Sequence, residues 1–164
     1  MEVLVVSEDF SVQSHKGSYP VFFNEQALTL LNNSKLDGYH FIIDRLVAEL
    51  YQAELSNILQ SPSVILIEAL EENKSLHKFP EYIETLSKNG IKRNHKLIAI
   101  GGGIIEDITC FIGAILMRGI AWEYYPTTLL AQADSCIGSK SSINVGKIKN
   151  LVGILQNDLF GAVG

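Results

Sequence analysis

The sequence lacks the features that mark secreted, membrane and nucleic-acid-binding proteins. Its N-terminus, MEVLVVSEDF, carries acidic rather than basic residues, which argues against a signal peptide. No apolar run approaches the roughly 18 residues of a membrane span. A formal net charge of -5 disfavours binding to phosphate backbones, which needs clustered Lys and Arg. We therefore predict a cytoplasmic protein that binds neither membranes nor nucleic acid.

Disulfide and metal-ligand patterns are also missing. The two cysteines, Cys110 and Cys136, form no Cys-x-x-Cys pair and stand in apolar surroundings, so we interpret them as buried free thiols. All four histidines precede Gly101, and none belongs to a His-Glu-x-x-His or comparable pattern. The sequence therefore predicts no metal ligands within this chain.

What is present indicates one folded α/β domain. The length of 164 residues, with 47% hydrophobic and 19% charged residues, suits a globular domain with its own core. Short apolar runs, at 3–6, 21–23, 39–43, 64–67, 97–100 and 122–125, alternate with helical spacing at 46–59, 75–88, 104–117 and 129–136. This alternation predicts a Rossmann-like, mainly parallel sheet with helices on both faces, which binds ligands at the carboxyl ends of its strands.

Three consecutive glycines, Gly101, Gly102 and Gly103, join an apolar strand to a helix. Bare backbone N–H groups and the positive end of a helix dipole suit a phosphate group, and a Cβ there would hold the phosphate away. The alternative is a tight turn without a ligand, since the sequence has no G-x-G-x-x-G. Asp107 follows in the first turn of the predicted helix, where it either stabilises the dipole or points into the cleft.

Charged residues upstream fall at the ends of two other predicted strands. Asp44 ends the run at 39–43, where a carboxylate can accept hydrogen bonds from ribose hydroxyls. Glu71 and Lys74 follow the run at 64–67. Each alone would be a solvated loop charge, but their shared position at strand ends favours the same ligand site as the glycines.

The stretch 101–153 carries an ordered set of motifs: GGGIIED, MRG, PTTLLAQAD, GSK with Asn144, and the pair Lys149-Asn150. This order resembles the 3-dehydroquinate synthase family of sugar-phosphate cyclases, whose motifs are GGGxxxD, MRG, PTTLLAQxD, a Gly-rich stretch with Lys and Asn, and GKNxxG. Asp44 and the Glu71-x-x-Lys74 spacing extend the resemblance across most of the chain.

The resemblance implies an N-terminal domain that binds NAD and a C-terminal helical domain, with a divalent metal (zinc or cobalt) and a phosphorylated sugar or sugar acid in the cleft between them. In the reaction that the resemblance implies, NAD would accept a hydride from one carbon, phosphate would leave the neighbouring carbon, the hydride would return, and the opened ring would close by an aldol step.

Matching positions assign roles by the same resemblance. The NAD contacts would be Asp44, Glu71, Lys74, Gly101, Gly102, Gly103, Asp107, Thr127 and Thr128. The substrate contacts would be Arg118, Asp134, Lys140, Lys149 and Asn150. The cations among them also suit a departing phosphate by their own chemistry.

The chain departs from the family pattern at two places near the expected ligands. GSKSSIN at 138–144 replaces the usual GGK-T-G-VN, and Glu106 stands where the family has a small residue. The substrate therefore stays open between 3-deoxy-D-arabino-heptulosonate 7-phosphate, sedoheptulose 7-phosphate and glucose 6-phosphate.

The family's metal ligands, a Glu and two His, belong to the C-terminal domain, and the sequence after Gly153 loses the family's aromatic-proline continuation. We assign residues 1–153 to the NAD-binding domain and 154–164 to a divergent tail at a truncation point. We expect the C-terminal helical domain to be absent and the isolated chain to be inactive. An isolated half would expose apolar surface, so we also expect a homo-oligomer.

Two other functions remain open at this point. An iron- or zinc-type alcohol or glycerol dehydrogenase shares the GGGxxxD loop and the PTT turn, although LLAQAD and Lys149-Asn150 favour the cyclase. A non-catalytic nucleotide-binding remnant would bind NAD or a partner without turnover.

Overall fold

The computed structural model describes residues 9–14, 17–135, 140–155 and 159–163. Its strands are β1 (Phe10–Ser14), β2 (Gly17–Phe23), β3 (Tyr39–Asp44), β4 (Val64–Ile67), β5 (Lys96–Gly101), β6 (Ala121–Pro126), β7 (Lys140–Val145), β8 (Ile148–Leu155) and β9 (Leu159–Val163). Its α-helices are α1 (Ala27–Asn32), α2 (Arg45–Leu50), α3 (Ser56–Leu59), α4 (Phe79–Lys88), α5 (Gly103–Ile115) and α6 (Leu129–Ala133), with 3₁₀ turns at Glu71–Lys74, Leu76–Lys78 and Leu116–Arg118.

The strands form one large sheet and one separate hairpin. The sheet has the order β1-β2-β9-β6-β5-β3-β4, in which β1 and β2 pair antiparallel and every other pairing is parallel. Strands β7 and β8 pair antiparallel as a hairpin outside this sheet. The predicted α/β class with a mainly parallel sheet is therefore confirmed.

Helices cover both faces of the central strands, which explains why those strands read as continuous apolar runs. Along β3, Phe41 and Ile43 pack into a cluster with residues of α1, α2 and α3, whereas Ile42 faces the opposite cluster with α4 and α5. Along β5, Ile98 joins the first cluster and Leu97 the second. Because successive side chains of a strand point to opposite faces, the same strands contribute to the apolar cores on both sides of the sheet.

The chain reverses its direction of travel across the sheet at β3. From β3 it crosses to β4 at the edge, and it then returns to the other side of β3 to form β5 and β6. The carboxyl ends of β3 and β5 therefore flank a topological switch point, which is where open α/β sheets bind ligands. Asp44 and Gly101 occupy those two strand ends.

The predicted strands at 21–23, 39–43, 64–67, 97–100 and 122–125 all lie within β2 to β6, whereas the strand at 3–6 lies outside the described residues. The continuous helix at 46–59 is wrong, because a turn at 51–55 separates α2 from α3. The helix expected at 75–88 begins only at Phe79, with Pro80 in its first turn. The helices expected at 104–117 and 129–136 end earlier, at Ile115 and Ala133.

Two further structural findings bear on the sequence predictions. Cys110 is buried, as expected, and Cys136 lies outside the described residues. Within the described segments, no helix has the length and apolarity needed to cross a membrane.

Candidate functional site

The glycine loop lies at the carboxyl end of β5, and each of its glycines is closely approached by a neighbouring side chain. A Cβ on Gly101 would stand 2.7 Å from the side chain of Ile105 and 3.2 Å from the Cβ of Asp44. A Cβ on Gly102 would stand 3.2 Å from Thr128 Cγ2. The end of β5, the start of α5 and the loop after β6 can therefore approach each other this closely only because glycine has no side chain. The loop leads into the first amides of α5, which helix geometry leaves without intrahelical acceptors.

Thr127 and Thr128 border the loop from the end of β6. The Thr127 amide donates to the Gly101 carbonyl at 2.9 Å, which fixes the two strand ends together. Thr128 caps α6, since its hydroxyl accepts a hydrogen bond from the Ala131 amide at 3.2 Å. The Thr127 hydroxyl is buried and finds no hydrogen-bond partner among the described residues. Such an atom costs about 1–3 kcal/mol, so its position favours a ligand-binding role.

Asp44 lies on the other side of the loop, at the end of β3. Its Oδ1 accepts a hydrogen bond from the Leu46 amide at 3.0 Å and so caps α2. Its Cβ lies against Gly101. The structure thus places this predicted ribose contact next to the predicted phosphate loop.

Lys74 is the centre of a buried polar network in the turn that follows β4, the strand next to β3. Its Nζ lies 2.8 Å from Asp107 Oδ2, 3.0 Å from Asn150 Oδ1 and 3.6 Å from Glu71 Oε1. The residue is 6% exposed, and a buried ammonium needs such partners. The expectation that Asp107 sits in the first turn is wrong: α5 begins at Gly103, so Asp107 falls in the second turn and points toward Lys74.

The β7–β8 hairpin is fastened to this network by Asn144. Its Nδ2 donates to the backbone carbonyl of Glu71 at 3.1 Å and to Glu71 Oε1 at 2.9 Å, while its Oδ1 accepts from the Asn150 amide at 2.8 Å. The Ser142 amide donates to Asp107 Oδ1 at 3.0 Å. The bond from Asn144, and then the charges of Lys74 and Lys149, lower the pKa of the Glu71 carboxyl against the opposing effect of burial.

Three other predicted substrate contacts, Lys149, Asp134 and Lys140, lie on or next to three different elements. Lys149 is exposed on β8 and acts on Glu71 through its charge, and Asp134 is exposed just after α6. Lys140 begins β7, but its side chain lies outside what the structure describes.

Arg118 is not brought to this site. It follows α5, whose 13 residues separate it by roughly 20 Å from the glycines. Met117 and Arg118 form a left-handed turn there, with φ of 50° and 67°.

A cavity of about 390 Å³ opens beside the end of β6, within the size range of small-molecule sites. Its lining includes Thr29, Tyr51, Glu54, Tyr125 and Thr127. Thr127 therefore belongs both to this cavity and to the border of the glycine loop. Sequence reasoning missed the cavity, because α1 and the turn after α2 carry no pattern that marks ligand contacts.

Sequence reasoning also missed the backbone contact from Ser142 to Asp107, which no side-chain type could have signalled. Glu106 was noted only as a departure from the family pattern. It is 7% exposed. Burial first, and then the neighbouring Asp107, raise the pKa of its carboxyl to about 9.

Comparison with known proteins decides the family. The family model described as 3-dehydroquinate synthase N-terminal matches residues 64–160, which is more than half of the chain. The chain belongs to the 3-dehydroquinate synthase family. A 3-dehydroquinate synthase of Dictyoglomus thermophilum is 34% identical over 149 residues, covering 89% of this chain and 41% of the relative. One from Clostridium tetani is 44% identical over 90 residues, covering 55% and 24%. The chain therefore spans less than half the length of these relatives.

Solved structures agree with membership in the 3-dehydroquinate synthase family. A 2-deoxy-scyllo-inosose synthase superposes with a TM-score of 0.80 at 26% identity, covering 95% of this chain and 46% of that one. A 2-epi-5-epi-valiolone synthase from Streptomyces hygroscopicus subsp. jinggangensis 5008, solved with NAD+ and Zn²⁺ bound, gives 0.74 at 26% identity over 94% and 45%. An iron-containing alcohol dehydrogenase from Thermotoga maritima, at 15% identity and a TM-score of 0.65, shares the fold.

A metal centre does not fit the part of this family member that the structure describes. Across residues 9–14, 17–135, 140–155 and 159–163, no group of three or more His, Cys, Asp and Glu side chains could hold a metal ion. His15 lies outside these residues.

Proposed function

We propose that this chain is the dinucleotide-binding half of an NAD-dependent sugar-phosphate cyclase of the 3-dehydroquinate synthase type. The observation that carries the proposal is the contact of Lys74 with Asp107 and Asn150. This contact joins the helix that follows the glycine loop to the hairpin that bears the expected substrate residues. A dinucleotide on the loop and a sugar phosphate on the hairpin would therefore lie side by side.

The loop fits the diphosphate of NAD. Gly102 and Gly103 present backbone without side chains at the positive end of α5, which has 13 residues. Asp44 stands beside the loop as an acceptor for ribose hydroxyls. The cavity lined by Tyr51 and Thr127 suits one nucleoside end of the dinucleotide, and the buried Thr127 hydroxyl supplies a polar group there.

The residues of the hairpin would handle the substrate. A bound NAD would supply a reversible hydride acceptor for the sugar. Asn150 is held by its amide to Asn144 and by its Oδ1 to Lys74, so its side chain has a fixed position. Lys140 and Lys149 occupy the two strands of the hairpin, where their charges would stabilise a departing phosphate. No step is assigned to a metal, because the described residues offer no ligand set.

We further propose a phosphorylated sugar acid of the 3-deoxy-D-arabino-heptulosonate 7-phosphate type as substrate, in the cytoplasm. Support comes from the relatives described as 3-dehydroquinate synthases. Sedoheptulose 7-phosphate and glucose 6-phosphate are the competing substrates, since relatives of similar fold are 2-deoxy-scyllo-inosose and valiolone synthases. Phosphate release from one of the three, with no net NADH, in any longer form of the chain that turns over would identify it. Net NADH from an alcohol would instead support a dehydrogenase.

Binding of NAD+ to this chain tests the first half of the proposal. We expect isothermal titration calorimetry to detect binding by the wild-type chain and none by Gly102→Val, whose side chain would collide with Thr128. Glu84→Val, on the exposed side of α4, is the control for loss of solubility or fold. Circular dichroism melts should show that both variants fold. Equal binding by Gly102→Val and the wild type would overturn the assignment of the loop.

A further inference from the structure

Glu106 occupies the corner where the start of α5 meets the end of α6. Its amide donates to the Gly102 carbonyl at 3.1 Å, which places it in the first turn of α5. Its side chain hydrogen-bonds to Ser135, the residue after Asp134. The same Ser135 Oγ lies 3.3 Å from the point where a Cβ on Gly103 would stand. Glu106, Ser135 and the glycine loop therefore share one small volume.

This corner is rich in carboxyl groups. Asp107 follows Glu106 on α5, and Asp134 lies beyond the end of α6. The buried cation of the network, Lys74, is bonded to Asp107 and Asn150 rather than to Glu106. The Cys110 thiol, one turn along α5, is itself buried, and burial raises its pKa, so it stays neutral. A third negative charge at this position would face two others.

The charge state of Glu106 follows from the sizes of the opposing effects. Burial, and then the charges of Asp107 and Asp134, raise its pKa from the ordinary 4.5 to about 9, although the hydrogen bond from Ser135 acts in the other direction. The dipole of α5 also favours the carboxylate, but it contributes about 0.3–1 kcal/mol, less than one pKa unit. Burial therefore prevails, and Glu106 carries a proton at neutral pH.

We propose that Glu106 is a proton-dependent positioning residue of the dinucleotide site: its neutral carboxyl joins the end of α6 to the start of α5 and admits the diphosphate to the glycine loop, whereas its carboxylate repels the diphosphate. The inference rests on the proposed function, because it takes a dinucleotide diphosphate as the ligand. It also gives a physical role to a residue that departs from the small side chain typical of this family.

Glu106→Gln is the matched variant, because glutamine keeps the size and the hydrogen-bonding capacity of the neutral acid but cannot ionise. The affinity for NAD+ should be measured calorimetrically between about pH 7 and about pH 9.5, where the diphosphate keeps its charge. We expect the wild-type chain to lose up to about fourfold in affinity over this range, because a group with a pKa of about 9 is only partly ionised at the upper end. We expect Glu106→Gln to lose much less, since its side chain stays neutral.

A direct titration keeps the test independent of binding. With ¹³C-labelled glutamate, the carboxyl signal absent from Glu106→Gln identifies Glu106, and its midpoint should lie near 9. A midpoint in the ordinary glutamate range, or the same pH profile of affinity in both proteins, would overturn the inference while leaving NAD binding intact. Failure of the wild-type chain to bind NAD+ or ADP-ribose at any pH would instead overturn the proposed function, and the inference with it.

Discussion

Lys74 Nζ lies 2.8 Å from Asp107 Oδ2 and joins the turn after β4 to the second turn of α5. The lysine side chain is 8% exposed and the aspartate side chain 21% exposed, so water screens the pair only in part. Removing one charge from such a pair leaves the other desolvated without its partner, which costs more than the pair itself contributes. This contact therefore stabilises the fold and also forms part of the proposed site.

Replacing Asp107 by Asn should destabilise the chain. The variant keeps the shape of the side chain but leaves the buried ammonium of Lys74 with Asn150 and the more distant Glu71 as partners. We expect a loss of about 1–3 kcal/mol in the free energy of unfolding, measured by urea denaturation. Lys88→Met, which removes an exposed cation at the end of α4, is the control and should change stability by less than about 0.5 kcal/mol. Equal effects of the two variants would contradict the importance of the pair.

Replacing Asn144 by Asp should release the β7–β8 hairpin. The change substitutes a carboxylate oxygen for the Nδ2 donor that now contacts the backbone carbonyl oxygen and Oε1 of Glu71, so the new oxygen would face two acceptors. We expect faster hydrogen exchange at the amides of Ser142 and Asn150, by about tenfold or more, read from ¹⁵N spectra. Asn89→Asp, at the end of α4, is the matched control. Unchanged protection of both amides would show that the hairpin is held by other contacts.

The parts that the sequence predicted correctly are those with a local cause. Apolar runs mark β2 to β6 because these strands are buried, and Asp44 and the glycines were placed at the same site because parallel strands share one carboxyl edge. The separation of α2 from α3 has a distant cause. Asn32 Oδ1 accepts from the amides of Asn57 at 2.9 Å and Ile58 at 3.1 Å and so begins α3 from 25 residues earlier in the chain.

Strand β9 was missed for a similar reason. Its five residues show no alternation, and the strand forms because β2 and β6 pair with it from both sides. It lies within the segment 154–164, which was interpreted as a divergent tail. Only non-local pairing reveals such a strand. The contact from the Ser142 amide to Asp107 is equally non-local, since 35 residues separate its partners.

His40 should make the chain less stable in mild acid. The residue is 2% exposed, and its Nε2 lies 3.0 Å from His95 Nδ1. Burial, and then the neighbouring His95, lower the pKa of His40 below its usual 6.5. The unfolded chain therefore takes up a proton before the folded chain does, so stability is full above about pH 6.5 and falls as the pH drops toward the folded pKa.

We expect this residue to lower the free energy of unfolding as the pH falls from about 7.5 to about 5.5. His40→Leu should show a smaller loss over the same interval in urea titrations, because its side chain does not titrate. His77→Gln, which removes an exposed histidine from the 3₁₀ turn before α4, is the control. A wild-type slope that persists in His40→Leu would assign the effect to other groups.

The leucines of α6 should drive self-association of the isolated chain. Leu129 is 83% exposed and Leu130 71% exposed, and Ile148 and Leu151 of the hairpin are also more than half exposed. Exposed apolar side chains in this number tend to be covered by another surface.

We expect light scattering after size exclusion to show a concentration-dependent oligomer for the wild-type chain. The double variant Leu129→Gln, Leu130→Gln should shift the equilibrium toward monomer by about tenfold or more, since it removes two apolar side chains per copy. Leu50→Gln changes a leucine of 69% exposure on α2 and is the matched control. A monodisperse wild-type monomer, or an equal shift caused by Leu50→Gln, would show that α6 does not form the contact.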